Sequence, residues 1–429
     1  MRELKTYRLG THRTISPRET VERLRPLLSK FGITRVANVT GLDRIGIPVV
    51  MVCRPNARSL SVSQGKGIDI DAARASGMME SIELFHAEEI DAPLRLGCES
   101  DLRENYPLID VARLPKVLSG SYHRDYPVLW IEGKDLSNNA SLWIPYEVVH
   151  LDFTLPRPAG EGCFAASSNG LASGNSWFEA ISHGLCETIE RDAGTLWRLK
   201  PRRERDTCRV DLATIDDAAC LNVIDRIQKS GFRVTVWDQT SDIDMPVFSA
   251  VIQDIDGNGD GSRFGFQGTG CHPTREIALL RALTEAAQTR LTRISGARDD
   301  VTRESYDQLN DRKVITPDRR RIESAPMLRN FRLVPTYQGE TFHDDVAWEL
   351  NCLKRAGMEQ VAVVDLTKPE FDIPVVRIVV PGLEGNRYND QYQYGSRALQ
   401  SQMKSTNSGA NLSGTHQEPL AASTNVEAS

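Results

Sequence analysis

One side-chain spacing recurs on three stretches of this sequence, and its residue types could together hold metal ions and a phosphate. Ser76, Glu80 and Glu83 stand at i, i+4 and i+7; so do His183, Glu187 and Glu190, and so do Arg281, Glu285 and Gln288. On a helix such positions fall within roughly 60° of one another. Glu179 shares a face with Glu187 and Glu190; Asn175 precedes it and Arg191 follows the triplet. The surrounding residues are apolar or small: DAARASGMMESIEL, WFEAISHGLCETIERDAGTLW and EIALLRALTEAAQTRL. Helices of that composition pack inside a protein, where carboxylates are costly unless something neutralises them. Divalent cations are the natural remedy. Magnesium prefers oxygen ligands and is usually held by a few carboxylates together with substrate phosphates. Arg191 and Arg281 would contact phosphate directly. The small-residue loop 167–175, leading into the middle stretch, offers backbone N–H groups to an anion. Any one of these acidic pairs alone reads as an ordinary solvated helix face. Three of them in apolar surroundings favour a metal–phosphate site.

Three helices must position those side chains, and the pattern places them at 71–89, 175–200 and 273–295. Ahead of them, Ser16, Pro17 and Glu19 form the signature of a capped helix start, with Val21, Leu24, Leu27 and Leu28 as its apolar stripe and Gly32 as its stop. Strands are expected over 33–39, 47–53, 232–238, 247–253, 264–268, 360–365 and 375–380, and a further helix over 213–230. The fold class is α+β, with mixed or antiparallel sheets. Residues 1–60 read as an N-terminal α/β segment packed on the core, and 61–385 as one catalytic unit. Residues 386–429, rich in Ser, Asn, Gln, Thr and Ala, read as a polar, flexible tail.

Composition bounds the function. The chain has 429 residues, 40% hydrophobic and 26% charged, with a net charge of −6. That mildly acidic balance disfavours nucleic acid as a partner. No run of about 18 apolar residues is present, so no membrane span is expected, and the N-terminus lacks a signal-peptide run. Eight scattered Cys without zinc spacing read as reduced thiols, Cys163 and Cys186 among them as packing residues, and the chain as cytoplasmic. Residues 254–265 begin like a calcium loop, but its twelfth position is Gly265, so a hairpin loop is expected. Residues 63–67 lack P-loop spacing and 170–174 lack a nucleophile elbow. His183 has no evident partner and reads as a helix-packing histidine.

At these residues the chain resembles the YcaO family. The resemblance is carried by SQGKGIDIDAARASGMMESIE (63–83), SSNGLASGNSWFEAISHGLCETIERDA (167–193), GTGCHPTREIALLRALTEAAQTRLTRISGARDD (268–300) and VVRIVVPGLEG (375–385), in the family's order. Residues 10–56 also look like the subfamily that works with a TfuA partner protein. The resemblance implies a YcaO-like composite α+β fold, with long helices converging on an ATP site that holds more than one magnesium ion. It implies an enzyme that uses ATP to O-phosphorylate a backbone amide of a peptide or protein, giving a thioamide with sulfide and a TfuA-like sulfur-delivery partner. An azoline-forming cyclodehydratase of the same family, or a nucleotide-binding accessory protein without turnover, are the alternatives. Carried over by position, Ser76, Asn175, Glu187, Arg191 and Arg281 match nucleotide contacts, with Lys66 and Gln288 as additions. Glu80, Glu83, Glu179, Glu190 and Glu285 match positions that bind magnesium or support it. Arg191, Arg281 and Glu190 take the catalytic roles. A homodimer is expected on resemblance alone. The chain departs from ring-forming members in lacking a Pro-rich C-terminus and a fused leader-binding domain, which favours a subunit that needs a partner. No general base is identifiable.

Overall fold

Glycine decides how closely the helices bearing those triplets approach the sheets beneath them. The computed structural model describes residues 3–255, 265–301, 326–385 and 391–409. It opens with α1 (Pro17–Leu24), β1 (Arg35–Asn38), β2 (Val49–Cys53), β3 (Val62–Lys66) and α2 (Ile70–Glu88). Next come β4 (Leu94–Gly97), α3 (Glu99–Leu102), β5 (Lys116–Val117), β6 (Val128–Asp135), β7 (Ser141–Pro145), β8 (Leu171–Ser173) and α4 (Trp177–Leu199). Then follow α5 (Arg202–Thr207), β9 (Val210–Asp211), α6 (Ala218–Lys229), β10 (Phe232–Asp238), β11 (Val247–Asp254), β12 (Phe266–Cys271) and α7 (Arg275–Ser295). The described chain closes with β13 (Arg329–Asn330), α8 (Phe342–Arg355), β14 (Ala362–Asp365), β15 (Val375–Val379), β16 (Tyr392–Gln393) and α9 (Ser396–Gly409).

Three antiparallel sheets carry these helices. One has the order β1-β2-β3, the second β10-β11-β12, and the six-stranded third β4-β6-β14-β15-β8 with β7 also paired to β6. Helix α2 lies on β3, α7 on β12, and α4 on β8 and β15. Each seam is apolar: Val50, Val52, Met78 and Ile82 under α2; Phe248, Ala250, Phe266, Leu279 and Leu283 under α7; Ile181, Leu185, Ile189, Val376 and Ile378 under α4. At each seam a glycine lets backbone meet backbone. A Cβ on Gly65 would stand 2.0 Å from the Ala73 carbonyl oxygen, one on Gly268 2.3 Å from the Ala286 nitrogen, and one on Gly184 of α4 2.7 Å from Ile378 Cγ1 and 3.1 Å from the Gly170 carbonyl oxygen. That intimacy sets where each helix's polar stripe comes to lie.

Helix starts follow the sequence signals. The Ser16 main-chain N–H donates to Glu19 Oε2 (2.8 Å), with Pro17 as first helical residue. Asp69 Oδ1 accepts from the Ala72 N–H (2.7 Å) at the start of α2. Helix α1 tightens into a 3-10 turn at Arg25–Leu27 before Gly32, whose φ of 69° turns the chain.

Several elements differ from expectation. Strand β3 has no counterpart in the sequence reading, because VSQGK offers one large apolar residue and a glycine where strand formers are expected. It completes the first sheet through Val50↔Gly65 and Met51↔Gln64, so that sheet runs across position 60. Strand β12 starts later than 264–268 and continues to Cys271 through glycines that packing on α7 requires. Helix α6 is shorter than 213–230, a 3-10 turn at Leu212–Thr214 standing before it. Helix α8, capped by Thr341, has no separate counterpart in the sequence reading. Residues 391–403 lie against the core: Arg397 pairs with Asp192 of α4 (2.9 Å), and the Gly395 and Ala398 N–H groups donate to Glu384. Residues 410–429 of the expected tail, and most of the 254–265 loop, lie outside the described residues. No helix of the described chain is long and apolar enough to cross a membrane.

The glycine seams are open to test. Gly65→Ala is expected to lower the unfolding free energy by about 1–3 kcal/mol, the usual cost of overpacking. Gly41→Ala, whose Cβ would meet nothing within 4 Å, is expected to change it by less than about 0.5 kcal/mol. Denaturant unfolding of the two variants beside the parent chain measures both.

Candidate active site

The three acidic helices are arranged in a ring. Besides its own strand, α2 reaches β8, α4 reaches β12, and α7 reaches β3. At every handover the last member of the triplet bonds the next strand in the ring. The Ser173 N–H and hydroxyl donate to Glu83 Oε1 at 2.8 and 2.6 Å. The Thr269 hydroxyl donates to Glu190 Oε1 at 2.8 Å. Gln288 Nε2 donates to the Gln64 carbonyl at 2.8 Å. The i+7 positions therefore fasten the ring; the first and middle positions face its interior, and of the i+7 residues Glu83 and Glu190 reach it as well.

That interior is one cleft. Of the residues expected from sequence, Lys66, Ser76, Glu80, Glu83, Asn175, Glu179, Glu187, Glu190, Arg191, Arg281 and Glu285 all line it. Gln288 does not; it is buried at the α7–β3 contact as the amide counterpart of Glu83 and Glu190. His183, expected as a packing residue, stands on the cleft wall instead, in the place that Ser76 and Arg281 take on the other two helices. Burial and the nearby Arg281 and Arg13 push its pKa well below the ordinary imidazole value.

Each carboxylate has a distinct setting. Lys66 Nζ lies 2.5 Å from Glu285 Oε2, and the Thr269 N–H donates to Glu285 Oε1 at 3.0 Å. Arg191 stands 3.6 Å from Glu187. Glu179 is held on both oxygens, by Arg13 (3.3 Å), Asn175 Nδ2 (3.1 Å) and the N–H and hydroxyl of Thr14 (both 2.9 Å). It is thus committed to joining the N-terminal segment to α4. The Thr20 hydroxyl donates to Asn175 Oδ1 at 3.0 Å in the same seam. Sequence reasoning does not anticipate Arg13, Thr14, Thr20 or Thr269, and it takes Ser173 only as part of the loop 167–175. Arg13 and Thr14 carry no periodic or motif signal, and only the folded chain brings them to Glu179.

Burial dominates the electrostatics. It raises the pKa of Glu80 well above the ordinary carboxylate value, with Glu83 adding to the rise. It raises Glu83 to about 7 despite the Ser173 hydrogen bonds, and it raises Glu187 although Arg191 opposes it. Glu190 is raised by burial and by the charge of Glu285. Carboxylates so placed either take up protons or take up a cation. Among the described residues no three acidic, His or Cys side chains already converge in ligating positions. This all-oxygen donor set suits magnesium, which keeps waters and phosphate oxygens in its shell, more than a metal caged by protein alone. Lys66, Arg191 and Arg281 on the same walls supply the positive charge a polyphosphate needs.

Comparison with known proteins bears on the family and the fold. The family model described as YcaO cyclodehydratase, ATP- and Mg2+-binding, matches residues 64–384. A Rhizobium leguminosarum bv. trifolii protein named for its position in the tfuA 3′ region is 38% identical over 397 residues, 90% of this chain and 92% of its own. A Methanothermobacter thermautotrophicus protein of unassigned function is 34% identical over 86% of this chain and 94% of its own. Among solved structures, a heterocyclase in complex with substrate and cofactor superposes with a TM-score of 0.74 at 21% identity, over 92% of this chain but 55% of its own. YcaO from Methanopyrus kandleri, bound with AMPPCP and Mg2+, superposes with a TM-score of 0.70 at 22% identity, over 89% of this chain and 95% of its own.

The raised carboxylates give a prediction with a defined sign. A Glu whose pKa is about 7 when folded and 4.5 when freely solvated holds a proton in the folded state that the unfolded chain has released. Its contribution to stability is complete below the lower value and is lost as pH rises through the upper one. In chelator the melting temperature is therefore expected to fall as pH rises from about 4.5 to about 7. Added magnesium is expected to recover it at about pH 8, most strongly with ATP present. Melting curves across pH with and without magnesium check this, and a magnesium-indifferent profile contradicts it.

Proposed function

The chain belongs to the YcaO family, and on that premise we propose that it activates a backbone amide of a peptide or protein with ATP for exchange of oxygen by sulfur, together with a TfuA-like partner. The observation that carries the thioamide outcome is the 38%-identical relative whose name places it beside tfuA, matched along nine-tenths of both chains. The family is ATP- and Mg2+-binding. Glu80, Glu83, Glu190 and Glu285 are the residues that would hold magnesium. Bound there, it would spread the charge of the triphosphate and let the raised carboxylates ionise. Glu179 supports them by fixing the N-terminal segment.

An amide oxygen is a weak nucleophile and a poor leaving group. Lys66, Arg191 and Arg281 bind and orient the phosphates so that the amide oxygen meets the γ-phosphorus in line. Ser76, Asn175 and Glu187 fix the rest of the nucleotide. The oxygen–phosphorus bond forms as the β–γ bridge breaks, and ADP leaves. Hydrosulfide then attacks the activated carbon. The carbon–oxygen bond breaks, the old amide oxygen departs in phosphate, and the S–H proton is lost to leave C=S. Amide, ATP and HS⁻ thus give thioamide, ADP and hydrogen phosphate. No protein nucleophile is required, consistent with Cys163 and Cys186 being buried thiols.

The likeness to a heterocyclase favours a second reading, ring closure by a Cys, Ser or Thr of the substrate with loss of water. Incubation of the chain and its partner with ATP, sulfide and peptide separates the two by mass. The proposed reaction raises product mass by one oxygen-to-sulfur exchange and requires sulfide; loss of one water without sulfide dependence contradicts it. Glu190→Ala is expected to abolish both ATP consumption and product. Product formation that survives loss of ATP hydrolysis would show that this chain is an accessory nucleotide-binding protein.

A further inference from the structure

A second, smaller cavity lies beside the cleft and contains a buried cation whose hydrogen bonds go only to backbone carbonyls. It is lined by Val148, Ser167, Asn169, Thr188, Arg377 and Leu383, among others, and has a volume of about 40 Å³. Arg377, on β15, is 2% exposed. Its Nε donates to the Val148 carbonyl (3.0 Å) and its Nη2 to the Ser167 carbonyl, while Nη1 has no partner. Asn169 Oδ1, on the same wall, is also buried without a partner. A guanidinium stays protonated in a protein; burial works against this one and the charge of Glu187 favours it, but Nη1 is left without an acceptor, which is costly for a buried charged group unless one joins it. Neighbouring residues of α4 line the two spaces, Glu187 the cleft and Thr188 the cavity. The cavity has room for a few water-sized atoms, which suits a monatomic or diatomic anion and excludes a nucleotide.

We propose that the cavity at Arg377 binds a small monoanion, held by the free Nη1 together with Asn169, which lines the same cavity, and that its occupant in turnover is the hydrosulfide that becomes the thioamide sulfur. An anion of this kind accepts from Nη1 while its S–H finds Asn169 Oδ1, satisfying both orphaned atoms at once. The assignment of hydrosulfide rests on the thioamide reading above; the assignment of an anion site does not.

The test therefore has two arms. Crystals of the whole chain soaked in bromide are expected to show anomalous density within hydrogen-bond reach of Arg377 Nη1, and Arg377→Met is expected to lose it. No bromide at Arg377 in the parent chain overturns the site. In the reconstituted system, Asn169→Ala and Arg377→Lys are expected to raise the KM for sulfide about tenfold and leave the KM for ATP unchanged. Asn169→Ala alters a half-buried loop side chain and keeps the test open should Arg377 variants fail to fold. Bromide bound at Arg377 with an unchanged KM for sulfide overturns hydrosulfide as the occupant. A parent system that makes no sulfur-dependent product overturns the thioamide reading instead, and the bromide arm then decides the anion site alone.

Discussion

Like-charged carboxylates held close together away from water are the constraint around which this protein is built. Glu80, Glu83, Glu187 and Glu190 all have pKa values lifted by burial, and each is lifted further by a neighbouring carboxylate. An arrangement of that kind is unstable alone and becomes favourable when cations enter. The three helices can carry it because their other faces are sealed to sheets through glycine contacts, which leave the backbone little room to splay the acids apart. The low-dielectric setting that makes the empty cluster unfavourable also strengthens its grip on metal and phosphate.

The ring explains why the same spacing recurs. Each helix rests on its own sheet and is tied to a strand of the next sheet by its i+7 side chain. Two of those ties use carboxylates and one uses the Gln288 amide, so the fastener position tolerates a neutral group. The cations of the cleft, Lys66, Arg191, Arg281 and the N-terminal Arg13, come from β3, α4, α7 and the segment before α1, whereas α2 brings no cation to the cleft. A chain with a net charge of −6 can therefore present a phosphate-binding wall by local placement.

The helical half of this site is legible in the sequence because a period of 3.6 turns spacing into shared faces. Ser76, Glu80 and Glu83 can be grouped before any fold is known, and so can the two triplets that mirror them. What holds those helices together is not legible. Strand β3 gives no strand signal because its glycine and polar residues serve packing on α2 and bonds to α7 rather than strand propensity. Thr269 and Ser173 sit on strands where polar residues carry no periodic signal. Arg13 and Thr14 meet Glu179 across more than 160 positions. His183 reads as a packing residue because sequence offers it no partner; the fold gives it the cleft. Residues 391–403 look too polar to pack, yet they dock through Arg397 on Asp192 and through backbone N–H groups on Glu384, polar ties that hydrophobic patterning does not register.

The central claim is that the three acidic helices close on metal and triphosphate together. Anomalous diffraction from the chain crystallised with manganese and a non-hydrolysable ATP analogue tests it most directly. Metal peaks are expected between the triphosphate and the carboxylates of α2, α4 and α7, with at least one ligand from α2. Peaks bound elsewhere, or a nucleotide seated without metal against a single helix, would contradict the account.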